Sequence, residues 1–239
     1  MKRQAWVGFL VVALASFDCG GDAGQNNQGH TNGNQNQPDP NGPVIFDDPA
    51  LEACVREAFD NAPGDIYPHV IAPVDHLECQ DRGITSLAGL EHMTGLKDLS
   101  LFENNIQDIS ALASLTELES LQLGNNDIAD LTPLQNLTKL QKLGLQDNRI
   151  DWLGPLSSLT ELRWLNLDNN QIPTAELSAL TGLTQLTWLT MEHNPITSMA
   201  ALSNLENGGV DLYSPAHWPR AVPPQAHMPF RHRMALPLD

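Results

Sequence analysis

Aromatic side chains are scarce in this chain: Phe, Trp and Tyr make up 5% of 239 residues, although 41% are hydrophobic. A core of ordinary packing density must then be built from aliphatic residues, leucine above all. Basic residues are scarce too, 12 Lys and Arg against 29 Asp and Glu, for a formal net charge of -17. Neutralising phosphates needs clustered Lys and Arg, so nucleic acid is not expected as a partner, and the folded part would be repelled by anionic lipid. Cysteine is limited to Cys19, Cys54 and Cys79. The apolar run from Ala5 to Phe17 is shorter than the roughly 20 residues of a membrane-spanning helix. There is no glycine-rich phosphate loop and no nucleophile with a matching base, so no catalytic centre is expected. His217, His227 and His232 are widely spaced and lack acidic or cysteine companions, so neither a metal nor another cofactor is expected.

What the chain does have is a period. The segments LKDLSLFENNI, LESLQLGNNDI, LQKLGLQDNRI, LRWLNLDNNQI and LTWLTMEHNPI place Asn104, Asn126, Asn148 and Asn170 at intervals of 22 residues and Asn194 after 24. Alternation around Leu99 and Leu101 gives a strand of a few residues, with the leucines inward and Asp98, Ser100 and Phe102 outward. The Asn closes the turn. Its amide carries donors and an acceptor, so a column of such residues satisfies backbone groups that no strand partner reaches. The next segment, such as IQDISALASLTEL, returns the chain along the opposite side and points Ile106, Ile109, Leu112 and Leu115 into the same core. No repeat can bury this face alone, so neighbours must stack. The pattern resembles the leucine-rich repeat. That resemblance implies an α/β leucine-rich repeat solenoid with short parallel strands on the concave face, irregular, 3-10 or short helical convex segments, and an N-terminal helical cap.

The flanking segments are of other kinds. Lys2 and Arg3 ahead of the apolar run mark residues 1–18 as a secretory signal. Two cleavage sites compete. Ala13-Leu14-Ala15 suits ordinary signal peptidase, whereas Cys19 followed by Gly20, Gly21 and Asp22 resembles the start of a mature bacterial lipoprotein. If Cys54 and Cys79 pair, Cys19 is an odd thiol in an oxidising compartment unless it is lipidated. The expected location is the bacterial outer membrane or cell surface as a lipoprotein held only by Cys19, or alternatively secretion. Residues 19–43, rich in Gly, Asn and Gln, cannot bury enough apolar surface to fold and form a disordered tether. Its root-mean-square span is roughly 25 to 30 Å.

Residues 44–83 read as the cap. Asp48 and Pro49 start a helix whose Leu51, Cys54, Val55, Ala58 and Phe59 share one face, and Asn61 to Gly64 end it. In LECQDRGI, residues 77–84, Leu77 and Cys79 take the inward positions and Arg82 stands where Asn is expected. With the cap helix over the open end of the core, Cys54 and Cys79 meet either as a disulfide or as two small buried thiols. Repeats fill 84–212. The irregular tail, 213–239, carries Arg220, Arg231 and Arg233 and either folds onto the acidic repeats or is a truncated or frameshifted end.

The cap phrase FDDPALEACVREAF, the bridge CQDRGITSLAGLEHMTGL and the 22-residue period together resemble the bacterial internalin-like leucine-rich repeat proteins over residues 44–205. Members of that family include surface adhesins that grip host proteins and envelope proteins of unknown partner, so the resemblance implies a non-catalytic binding module. The Pro- and His-rich stretch from Ser214 departs from the immunoglobulin-like domain that usually follows the repeats there.

A solenoid offers its concave face for binding. Outward positions read His76, Asp98, Ser120, Lys142, Trp164 and Trp188 in one column, and Glu78, Ser100, Gln122, Gly144, Asn166 and Thr190 in the next. A third holds Gln80, Phe102, Gly124, Gln146, Asp168 and Glu192. Trp164 and Trp188 stand on neighbouring strands about 4.8 Å apart, beside the polar pair Asn166 and Thr190 and the acidic pair Asp168 and Glu192. Together with Asp98 and Phe102, these residues are the candidate ligand site, suited to a protein with Lys or Arg or to a carbohydrate. The other interpretation of the tryptophans is that they cover each other or are covered by the tail. Two further functions compete: a structural envelope spacer or scaffold subunit without a discrete ligand and, remotely, a glycoside hydrolase, because carboxylates at strand spacing match the separation of about 5 Å in retaining enzymes. An open sheet offers no enclosure to keep one carboxyl protonated, which disfavours the last.

Overall fold

The computed structural model describes residues 42–59, 61, 63–207 and 211–213. The signal segment, Cys19, the tether up to residue 41, the three tail histidines and residues 214–239 lie outside the described residues.

Among the described residues seven three-residue strands recur once per repeat: β1 (His76–Glu78), β2 (Asp98–Ser100), β3 (Ser120–Gln122), β4 (Lys142–Gly144), β5 (Trp164–Asn166), β6 (Trp188–Thr190) and β7 (Asp211–Tyr213). They form one parallel sheet in chain order. Register never slips, so Leu77, Leu99, Leu121, Leu143, Leu165 and Leu189 line up as one row. The backbone of Leu212 continues it. Strand β1 falls inside the segment expected as cap, and β7 reaches one residue into the segment expected as tail. Pairing continues past each strand: Leu101, Leu123, Leu145 and Leu167 donate their N–H groups to the next coil at 2.8 to 2.9 Å.

The return path is made of 3-10 turns at Leu90–His92, Ser110–Ser114, Thr132–Leu134, Gly154–Ser158, Thr174–Leu180 and Ala200–Leu202. Asp108 and Asp130 start two of them by accepting the N–H of Ser110 and of Thr132, each at 2.8 Å. The two extra residues of the fifth repeat are taken up in the seven-residue turn Thr174–Leu180. Trp164 therefore still pairs directly with Trp188. Between sheet and turns runs a single continuous core, in which the repeats place their leucines and isoleucines at near-zero exposure, with Ile196 of the last described repeat only partly buried against it. Complete burial of one such side chain contributes about 1.5 to 3 kcal/mol, and it is complete only because a neighbouring coil lies on either side.

The cap closes the first coil. Helix α1 (Pro49–Glu57) buries Leu51, Cys54 and Val55, but it is shorter than its apolar spacing suggests: Ala58 ends it and is exposed, and Phe59 packs against the core from the following turn. A second short helix, α2 (Pro68–Ile71), which the sequence pattern does not announce, adds Ile71. Cys54 and Cys79 are joined as a disulfide across 25 residues, worth about 3 kcal/mol in the chain-entropy account. Asp48 ties α1 to the first repeat. Its Oδ1 accepts from Ala50 N and Leu51 N, and its Oδ2 from Thr85 N, Thr85 Oγ and Ser86 N. Burial works to raise its pKa, but hydrogen bonds from Thr85 and the first helical turn outweigh it and hold the carboxyl below its ordinary value. Arg82, standing in place of an Asn, turns instead to the cap and grips Glu57 with two bonds of 2.9 and 2.6 Å.

Candidate functional site

One set of sequence-selected residues is spent inside the fold. Asn104, Asn126, Asn148 and Asn170 are buried and Asn194 is half-buried. Each Nδ2 donates to a backbone carbonyl of the coil before it and to carbonyls of its own coil, as Asn148 does to Leu123 O, Leu145 O and Gln146 O. Each Oδ1 accepts an isoleucine N–H of the previous coil: Ile84, Ile106, Ile128, Ile150 and Ile172 in turn. These five amides make a ladder down one edge. The residue before each rung, and before Arg82 at the corresponding place in the first coil, is also special. Asp81, Glu103, Asn125, Asp147, Asn169 and His193 all have φ between 52 and 58°. That left-handed turn suits Asn, Asp and His better than Glu.

The concave face carries the rest. On β5 and β6, Trp164 and Trp188 stack with ring centroids 4.7 Å apart and planes 1° from parallel. Strand spacing dictates this, since side chains at paired positions stand one strand apart and perpendicular to the sheet. Each ring shields a face of the other, so the pair is half-buried, in line with the interpretation that the two cover each other in part. Next to it, Asn166 and Thr190 are each 3% exposed. Asn166 Oδ1 accepts the N–H of Asp168 at 2.9 Å. Asp168 Oδ1 in turn accepts Thr190 Oγ at 2.5 Å and Glu192 N at 2.6 Å. The polar strip beside the tryptophans thus braces β5 to β6, and Asp168 is held as an acceptor rather than presented as an acid.

Six of the eight candidate ligand residues, Trp164, Asn166, Asp168, Trp188, Thr190 and Glu192, therefore lie together. Asp98 and Phe102 belong to the β2 coil, three strands or roughly 14 Å from β5, and form no common site with them. Simple alternation also fails for Ser100, Ser120 and Gln122, which face the concave side yet are buried. The serines are short enough to sink between longer neighbours, and Gln122 lies down over Gly144.

Gln122 and Gln146, outward in the sequence columns but not among the candidate ligand residues, are brought together by the fold. They cross between β3 and β4, Gln122 lying over Gly144 and Gln146 over Gly124: a Cβ on either glycine would stand 2.0 or 2.4 Å from the glutamine amide. The signal is glycine at outward positions of the coils, Gly144 within β4 and Gly124 just past β3, which marks close approach. Ser120 Oγ, Gln122 Nε2 and Gln146 Oε1 are buried without a hydrogen-bond partner among the described residues. At the start of the sheet, His76 Nε2 and Glu78 Oε1 are 3.2 Å apart. Among the described residues no group of three or more His, Cys, Asp or Glu is placed to hold a metal, and no helix is long and apolar enough to cross a membrane.

Comparison with known proteins agrees with this architecture. Residues 94–136 match a family model for two copies of the leucine-rich repeat, and residues 138–196 match a second leucine-rich repeat model. No curated protein matches the chain. Among solved structures, internalin inlF of Listeria monocytogenes is 26% identical with a TM-score of 0.58, over 72% of this chain and 57% of that one. Internalin C2 of the same organism is 27% identical with a TM-score of 0.51, over 71% of this chain and 95% of that one. The leucine-rich repeat ectodomain of the plant receptor kinase GASSHO1/SCHENGEN3 from Arabidopsis thaliana was solved in complex with Casparian strip integrity factor 2. It is 27% identical with a TM-score of 0.52, over 59% of this chain and 18% of that one. The chain thus spans little more than half the length of the first internalin. Its described repeats are leucine-rich repeats folded as in the Listeria internalins, a fold typical of protein-binding modules that are generally not catalysts.

Proposed function

We propose that this protein is an exported, non-catalytic binding module that recognises a protein ligand through its concave face, with Trp164 and Trp188 as the anchor. The observation that carries this is the stacked pair itself, two rigid indoles held side by side on adjacent strands. Large aromatic surface that is already ordered in the free protein gives contact area at low entropic cost, and Trp is enriched among binding hot spots. Gln122 and Gln146, whose amides lie over Gly144 and Gly124 on the β3 and β4 coils, add polar groups to the same face. Export and attachment through Cys19 belong to the same proposal and rest on Lys2, Arg3, the apolar run and the residues after Cys19.

The test is a binding screen of the protein, beside the Trp164→Ala/Trp188→Ala variant, against envelope extracts, host-surface proteins and glycans. A protein retained by the parent and lost by an equally stable variant supports the proposal. A glycan retained instead would reassign the ligand class. Equal retention by both variants moves the site away from the pair, and no partner for either favours an envelope spacer.

A further inference from the structure

Among the described residues three large hydrophobics are exposed, Ile45, Val70 and Trp152, and of these only Trp152, at 51%, is aromatic. It lies past the Asn ladder, on the edge where the chain leaves the strands for the convex side, and so is not part of the concave strip. Just before it, Arg149 N donates to Ile128 O and Gln171 N to Ile150 O, which keeps adjacent coils in register. Asp108, Asp130, Trp152 and Thr174 therefore form one row. The first two are aspartates that cap the 3-10 turns behind them. Trp152 cannot cap.

The turn behind Trp152 departs from its neighbours in a matching way. Gly154 stands where the earlier coils have Ser110 and Thr132, and a Cβ there would lie 2.5 Å from Cζ2 and 2.6 Å from Cε2 of Trp152. The indole thus rests against the glycine backbone while half of the residue's surface stays open to water. Carboxylates flank it. Asp130 belongs to the preceding coil, Asp151 is the exposed neighbour in the chain, and Glu176 reaches back from the next coil, its Oε2 accepting Leu153 N at 3.0 Å. Arg149, the cation three residues before Trp152, is already paired with Asp127 at 2.6 Å.

We propose that this edge is a second binding site, for an arginine side chain of a protein partner, stacked on the open face of Trp152 with Asp130 and Glu176 meeting its charge. A guanidinium is flat, weakly hydrated and permanently charged, so it suits an aromatic platform bordered by carboxylates. The site is independent of the concave strip and requires no ligand there.

The test is a peptide-observed NMR titration of the full chain with acetyl-Gly-Arg-Gly-amide and with its citrulline counterpart, which has the same shape without the charge. Trp152→Asp restores the capping residue of positions 108 and 130, so the turn is expected to fold at least as well, which thermal unfolding checks. Trp152→Leu keeps an apolar cover over Gly154. Both variants should bind the arginine peptide about fivefold more weakly or worse, although Trp152→Asp adds a negative charge. The citrulline peptide should not bind, and Trp164→Ala/Trp188→Ala should bind as the parent does. Undiminished or tighter binding by Trp152→Asp would reduce the site to bulk electrostatics and overturn the proposal. So would equal binding of citrulline, loss of binding in the concave variant, or no binding by the parent at about 10 mM peptide, weaker than the millimolar range of single contacts.

Discussion

At the scale of single residues, the asparagine ladder repeats one set of backbone hydrogen bonds in five successive coils. Removing Asn148 leaves Leu123 O, Leu145 O and Gln146 O short of a donor and Ile128 N without its acceptor. Buried groups left in that state cost 1 to 3 kcal/mol each before relaxation, so Asn148→Ala is expected to lose roughly 2 to 4 kcal/mol in urea unfolding. A loss below about 0.5 kcal/mol would mean that the bonds are not holding the coils. Glu103 makes the opposite case. It sits at φ 58°, a conformation costing a typical side chain about 1 to 2 kcal/mol, much of which Asn avoids. Glu103→Asn should therefore stabilise the fold by about 0.5 to 1 kcal/mol, and an unchanged or lower midpoint would contradict that.

Among the elements, the cap depends on one carboxylate. Asp48 starts α1 and fastens it to Thr85 and Ser86, and its pKa is lowered because those hydrogen bonds outweigh burial. A carboxyl that titrates lower in the folded than in the unfolded chain, where its value is near 3.9, contributes stability above about pH 4. That contribution is lost as pH falls through the lower folded value. Asp48→Asn should accordingly be less stable than the parent by about 1 to 2 kcal/mol at pH 7, and the two should converge below about pH 4. A gap unchanged between pH 7 and pH 3 would place the stabilisation elsewhere. The disulfide joins the same two pieces, α1 and the β1 coil, so cap and first repeat are linked covalently as well as by hydrogen bonds.

Across the whole molecule, legibility in the sequence follows the range of the forces. The 22-residue period, the inward leucines and the Asn positions are visible because every coil makes the same demands, and the strand columns transfer without error to the observed register. The burial of Ser120, Asn166 and Thr190, and the work Asp168 does within the sheet, depend on neighbours a full coil away and are invisible to alternation. The left-handed column was written in Asp81, Asn125, Asp147, Asn169 and His193 but hidden by Glu103. Trp152 shows its seat only once Gly154 is placed beneath it. The Trp164–Trp188 pair is legible in position, and the sequence leaves open whether the rings cover each other; the parallel stacking answers that, because it depends on ring orientation.

A solenoid with one continuous core can lose surface side chains without losing its fold, which makes binding and stability separable. The most direct measurement is the affinity of the parent and of Trp164→Ala/Trp188→Ala for the protein partner recovered by screening, taken together with their unfolding midpoints. With the pair as anchor, affinity falls by at least about thirtyfold, the equivalent of one hot-spot residue, while the variant still unfolds cooperatively as a folded protein. Affinity within about threefold of the parent would contradict a concave site centred on these two tryptophans.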